Sequence, residues 1–233
     1  MRHFRSKSIT LGASLLALFS ASGASAHVTI SSGPATAGAI EKIVFGVGHG
    51  CSGADTASVT IEMPPGVGSV RPIPSSALDG LAIERDDSDT VVSVTWERRT
   101  SAVLASDMAF YELAVQLRVP NQPFTTLFFP THQTCLGPDG EPSTVHWVGV
   151  DDTPGVEPAP ALFVMPARYP GWNRFTVPAD VADLFAFFSD AVIVWRGEAA
   201  FSANPTLAEL LRQTSGVESL ETLSVGDVVW VRY

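Results

Sequence analysis

A histidine at position 27 stands directly after the small-x-small triplet Ala24-Ser25-Ala26 and opens the run "HVTI". Cleavage after Ala26 would make His27 the first residue of the mature chain, with a free α-amine and an imidazole on one residue. The reference pKa of the amine is about 7.7–8.0 and that of the ring about 6.5, so both release protons readily near neutral pH. Together they can close a chelate ring around one metal ion. Nitrogen donors completed by an oxygen suit Cu(II), which heads the affinity order of divalent first-row metals. A carboxylate or a water must fill the remaining position.

The other residue types able to do chemistry are few. Cys51 and Cys135 are the whole cysteine supply. In an exported chain an even pair is expected to form a disulfide, with free or metal-bound thiols as the alternative. His49 sits between two glycines, His132 precedes Cys135, and His146 precedes Trp147. With the cysteines these could make a mixed metal site, but no pair has C-x-x-C or H-x-x-x-H spacing. No G-x-S-x-G, Gly-rich phosphate loop or H-E-x-x-H motif occurs. The chain is expected to bind and not to catalyse.

Ahead of His27, Arg2, Arg5 and Lys7 make a positive start, and "ITLGASLLALFS" is an apolar run too short to span a bilayer. Residues 1–26 therefore read as a secretory signal peptide. The mature protein is then exported, to a periplasm or cell envelope. The formal charge of the whole chain is −10, and losing those three basic residues makes the remainder more acidic still. Such a surface repels phosphate backbones, which excludes nucleic acid as a partner.

The elements that must position these residues are strands. "KIVFGV" (42–47), "ASVTIEMP" (57–64), "TVVSVTWE" (90–97), "YELAVQLRVP" (111–120), "TTLFFPTHQTC" (125–135) and "STVHWVGV" (143–150) are rich in Val, Thr, Ile and aromatics. Turn residues separate them, and several alternate with period two. The spacing predicts an antiparallel β-sandwich, immunoglobulin-like or cupredoxin-like, over residues 27–167. "RDDSD" (85–89) reads as a hairpin loop, and 151–172 as a Pro-rich linker with one strand at "ALFVM".

Beyond it the pattern changes. "ADVADLFAFFSD" and "NPTLAELLRQTSG" read as short helices, the second capped by Asn204 with Pro205 in its first turn and Gly216 past its end. "AVIVWRG" and "GDVVWVRY" read as strands. Residues 168–233 are thus a small α+β module of unassigned role, with Trp172, Trp195 and Trp230 expected in its core.

"HVTI", "HGCSGADT" (49–56), "AFYELAV" (109–115), "LFFPTHQTC" (127–135), "HW" (146–147) and "PAPALFVMPA" (158–167) resemble, in order and spacing, the YcnI-like family of exported bacterial copper-binding proteins. The resemblance covers residues 27–167 and implies a β-sandwich that binds copper through a brace. In that brace the amine and ring of the N-terminal histidine hold the ion, and a carboxylate and a nearby tryptophan complete the site. His27 takes the brace position and Trp147 matches the tryptophan. The carboxylate is expected to be Glu41, tethered close to His27 in the next strand, with Glu112, which matches a Glu of the family, as the alternative. Two features depart from the family. "RPIPSSALDGLAIE" (71–84) lacks its tryptophan, and the proline expected soon after the histidine is absent from "HVTISSGP".

The reading that follows is an exported metallochaperone for Cu(II), exchanging its ion with a membrane copper transporter or another copper chaperone. One rival is a copper-dependent oxidative enzyme, which needs a second histidine facing the brace, from His132 or His146. The other is a structural or interaction module in which His27 is incidental.

Overall fold

Strand by strand, apolar side chains on one face find a partner sheet. In Tyr111–Arg118, Leu113, Val115 and Leu117 are buried while Glu112, Gln116 and Arg118 face outward. In Asp55–Glu62 the buried pair is Val59 and Ile61. Period-two burial of this kind stabilises a strand only when a second apolar face covers it.

The computed structural model describes residues 27–99, 109–137, 139–151 and 153–233. The expected signal peptide, residues 1–26, lies outside the described residues. The strands are Val28–Ile30 (β1), Ala35–Thr36 (β2), Ile40–Val47 (β3), Asp55–Glu62 (β4), Gly68–Ile73 (β5), Gly80–Arg85 (β6), Val91–Glu97 (β7), Tyr111–Arg118 (β8) and Thr125–Phe128 (β9). Thr131–Leu136 (β10), Pro142–Gly149 (β11), Glu157–Pro158 (β12) and Ala161–Met165 (β13) follow. The remaining elements are Trp172–Thr176 (β14), Leu184–Phe188 (α1), Ile193–Arg196 (β15), Ala199–Phe201 (β16), Pro205–Gln213 (α2), Glu218–Ser219 (β17) and Val228–Arg232 (β18). No helix among the described residues is long and apolar enough to cross a membrane.

A sheet of order β1-β3-β8-β5 packs on one of order β12-β11-β10-β4-β7-β6, and a small sheet β2-β13-β9 closes one end. Between the two large sheets lies one core, including Phe45, Ile61, Trp96, Leu113, Phe129 and Trp147. This is the expected β-sandwich. The "RDDSD" hairpin is also found. Asp86 accepts hydrogen bonds from the backbone N–H groups of Ser88 and Thr90. The stretch 71–84, in contrast, supplies β5 and β6 on either side of a short turn. Both are edge strands, which is where Pro72 is tolerated.

Cys51 and Cys135 are joined in a disulfide, as expected, across a separation of 84 residues. Closing so long a loop contributes on the order of 4–5 kcal/mol through the unfolded chain. Next to it Gly50 approaches the chain closely: a Cβ there would lie 1.8 Å from the Ala54 carbonyl oxygen, so only glycine fits. Below this turn Asp55, Arg98 and Tyr111 form a buried cluster. Asp55 pairs with Arg98 at 2.9 Å, and the Tyr111 hydroxyl donates to Asp55 Oδ1 at 2.6 Å. Arg98 also donates to the Thr56 and Ala77 carbonyls. Burial and the bond to Asp55 push the Tyr111 hydroxyl up to about 12, with Arg98 opposing.

The C-terminal module has a five-stranded sheet, β14-β18-β15-β16-β17, and its own core of Val177, Leu184, Phe188, Val194, Val229 and Val231. Its second helix starts as predicted, with Asn204 Oδ1 accepting from the N–H groups of Thr206 and Leu207. Phe124 and Met165 of the sandwich join this core. Phe124 sits at φ +64°, with its ring against Phe175, Phe187 and Phe188. The three tryptophans correct the expectation. Trp172 and Trp230 are 51% and 48% exposed, and all three line one open face, because Val229 and Val231 take the inward positions of β18.

Candidate metal centre

β1 is only three residues long, and its register fixes where His27 stands. Val28 pairs with Val47 and is buried, so the chain start is held at the end of β3. There the His27 ring meets Trp147 edge-on, with centroids 5.6 Å apart and planes at 72°. His27 Nδ1 lies 3.9 Å from Glu157 Oε2, and the two side chains are 42% and 44% exposed. A groove of about 290 Å³ runs alongside, lined by His27, Thr29, Pro158 and Pro160 among others.

Trp147 is placed by β11 and fastened from behind. Its Nε1–H donates to Gln133 Oε1 at 3.3 Å. Gln133 in turn donates to the His49 carbonyl and to Thr56 Oγ1, each at 2.8 Å. The indole therefore has little freedom to turn. Glu157 arrives by a two-residue strand, β12, which runs parallel to β11 with Glu157 in register with Trp147. Flanking hydrogen bonds, Ala159 N–H to the Gly149 carbonyl and Phe129 N–H to the Pro160 carbonyl, pin this segment on both sides. On the outer face of β3, Gly46 leaves room for the Phe110 ring, which a Cβ would meet at 2.8 Å.

The pattern of Domain of unknown function (DUF1775) matches residues 27–164, more than half of the chain. The chain belongs to this family. Its DUF1775 region thus begins at His27 and ends within β13, enclosing the His27, Trp147 and Glu157 arrangement. No curated protein matches the chain significantly. Among solved structures, an uncharacterised Nocardia farcinica protein described as immunoglobulin-like is 27% identical. It covers 59% of this chain and 97% of its own, with a TM-score of 0.48. A type III cohesin module from the ScaE cell-surface anchoring scaffoldin of Ruminococcus flavefaciens is 16% identical. It covers 59% of this chain and 82% of its own, with a TM-score of 0.26.

Within the DUF1775 region the structure brings together two of the expected residues, His27 and Trp147, but neither expected carboxylate. Glu41 lies at the far end of β3, six residues before the partner of Val28, which is about 20 Å along a strand. Its Oε1 instead accepts the Thr36 N–H at 2.8 Å and holds the turn between β2 and β3. Glu112 faces outward on β8, in register with Gly46, two strand spacings from β1 or about 10 Å. The carboxylate that stands beside His27 is Glu157, which is not among the expected residues. It sits in a Pro-rich stretch that reads as a linker, and no local pattern marks it.

The other histidines are also placed. His49 Nδ1 is 2.6 Å from the Gly50 carbonyl oxygen, a turn hydrogen bond in keeping with its setting between glycines. His132 and His146 lie on the outer face of β10 and β11, opposite the face that carries Trp147. They do not meet His27. Cys51 and Cys135 are consumed in the disulfide, which removes the mixed Cys/His site.

Proposed function

We propose that the protein is an exported copper-binding protein of the YcnI-like type, holding Cu(II) as cargo at a single-histidine brace on His27. The observation that carries the reading is the 3.9 Å separation of His27 Nδ1 and Glu157 Oε2 beside the Trp147 ring. Metal–nitrogen and metal–oxygen bonds of about 2.0–2.2 Å each make a gap of that size fit one ion between the two atoms. The α-amine of a chain cut after Ala26 supplies the second nitrogen. Nitrogen, nitrogen and carboxylate oxygen together favour Cu(II).

The half-exposed setting suits an ion that must be taken up and handed on to a membrane copper transporter or another chaperone. Trp147 shields one side of it, and the groove beside His27 leaves the other open. The oxidative-enzyme reading lacks support, because His132 and His146, its proposed second ligands, face away. A competition titration of the processed chain with Cu(II) tests the proposal. One tight equivalent of Cu(II) that disappears in H27A and is weakened in E157Q supports it, and equal binding by all three proteins contradicts it.

A further inference from the structure

A second pair of imidazoles lies on the other face of the sheet. His132 and His146 are direct cross-strand partners on β10 and β11. Their Nδ1 atoms are 2.7 Å apart, with ring centroids 5.0 Å apart and planes at 72°. Two nitrogens at that distance must share one proton. On the far side of His132, Nε2 is 2.9 Å from Glu62 Oε1, on the neighbouring strand β4.

The carboxylate fixes the hydrogens of this chain. Glu62 can only accept, so His132 Nε2 carries the hydrogen and His132 Nδ1 is left with its lone pair. His146 Nδ1–H then donates to it. Carboxylate–histidine pairing of this kind orients and strengthens an imidazole that binds metal through its other nitrogen. Around the pair the outer face is hydroxylic: Thr134 and Thr144 are the next cross-strand partners, and Thr60 lies opposite His132.

We infer that His132 and His146 form a second metal site, for a divalent first-row ion that prefers imidazole, Cu(II) above all. Two nitrogens bound at about 2.0 Å to one ion at a right angle stand about 2.8 Å apart, so the pair needs only a small opening to take it. The ion replaces the shared proton, which leaves His146 Nδ1 for solvent. No set of three or more His, Cys, Asp or Glu residues converges among the described residues. The two nitrogens are therefore the protein's ligands, and water completes the shell. The site is independent of His27, since the pair faces away from Trp147.

The test uses H27A, in which the brace has lost its imidazole. With Cu(II) alone, this protein is expected to bind one ion with electron paramagnetic resonance coupling from two imidazole nitrogens. E62Q should weaken that binding by about 10–100-fold, and H132Q/H146Q should abolish it. A native-sequence measurement guards against a misfolded variant: Cu(II) added beyond the first equivalent should broaden the ring proton signals of both His132 and His146. Binding by H27A/H132Q/H146Q equal to that of H27A, or unbroadened His132 and His146 signals, would overturn the site and leave the His27 reading untouched.

Discussion

His27 Nδ1 and Glu157 Oε2 face one another across 3.9 Å, although they come from opposite ends of the sandwich sequence. The long chain between them is folded so that β1 ends β3's sheet while β12 ends β11's, and the two edges meet. As an ion pair alone this contact is worth little, because both side chains are well exposed and an exposed pair contributes about 0–1 kcal/mol. Under the proposed function its value lies in the ligand geometry.

E157Q should therefore leave the unfolding midpoint almost unchanged and lower Cu(II) affinity by at least about tenfold, in the range that supporting carboxylates command. E41A should do the reverse. It weakens the turn at Thr36 by about 0.5–1.5 kcal/mol and leaves affinity alone. Paired denaturation and competition titrations decide between the two carboxylates.

Trp147 offers an optical readout. Cu(II) beside an indole quenches its fluorescence, and the Trp147 ring is the one in contact with His27. W147F should abolish the copper-dependent part of the quenching. It also leaves Gln133 Oε1 without its indole donor, so stability should fall by about 1–3 kcal/mol. Unchanged quenching in W147F would place the ion elsewhere.

What could be read from residues alone follows where burial alternates. The runs at 57–64 and 111–120 are legible as strands because their Val, Ile and Leu sit on one side of the pleat. Asn204-Pro205 announced a helix because capping is local chemistry. β5 and β6 were hidden because edge strands need cover on only one flank and tolerate Pro72 and Arg85. Glu157 was hidden for a related reason: a two-residue strand has no period, and its place is set by pairing with Trp147. The outward Trp230 was legible, since Val229 and Val231 flank it. A tryptophan's apolar character argues for the core, and the alternation of its neighbours overrides it.

Phe124 couples the two cores. A bulky residue at φ +64° is held there by its contacts with Phe175, Phe187 and Phe188. F124A should cost about 3–5 kcal/mol and speed hydrogen exchange in β14 and β18 more than in β3 and β8. Uniform exchange changes across both sheets would show that the ring does not join the module to the sandwich.

Tyr111 sets a limit at high pH. The unfolded chain releases its phenolic proton near pH 10, whereas the folded chain keeps it to about 12. Its contribution is complete below pH 10 and is lost as the pH rises through 12, a fall of about 2–3 kcal/mol. Tyrosinate absorbance of the wild type minus that of Y111F should show this delayed ionisation. Titration of Tyr111 near pH 10 would mean that the Asp55–Tyr111 bond is not kept in solution.

The central claim rests on the amine and ring of one residue acting together. Cu(II) affinity should be compared between the chain starting at His27 and the same chain with its α-amine acetylated, both as H132Q/H146Q so that only the brace is read. Acetylation removes the amine as a ligand and leaves the His27 ring, Trp147 and Glu157 in place. The account predicts tight one-to-one binding by the first and its collapse in the second. Equal affinity in the two would contradict it.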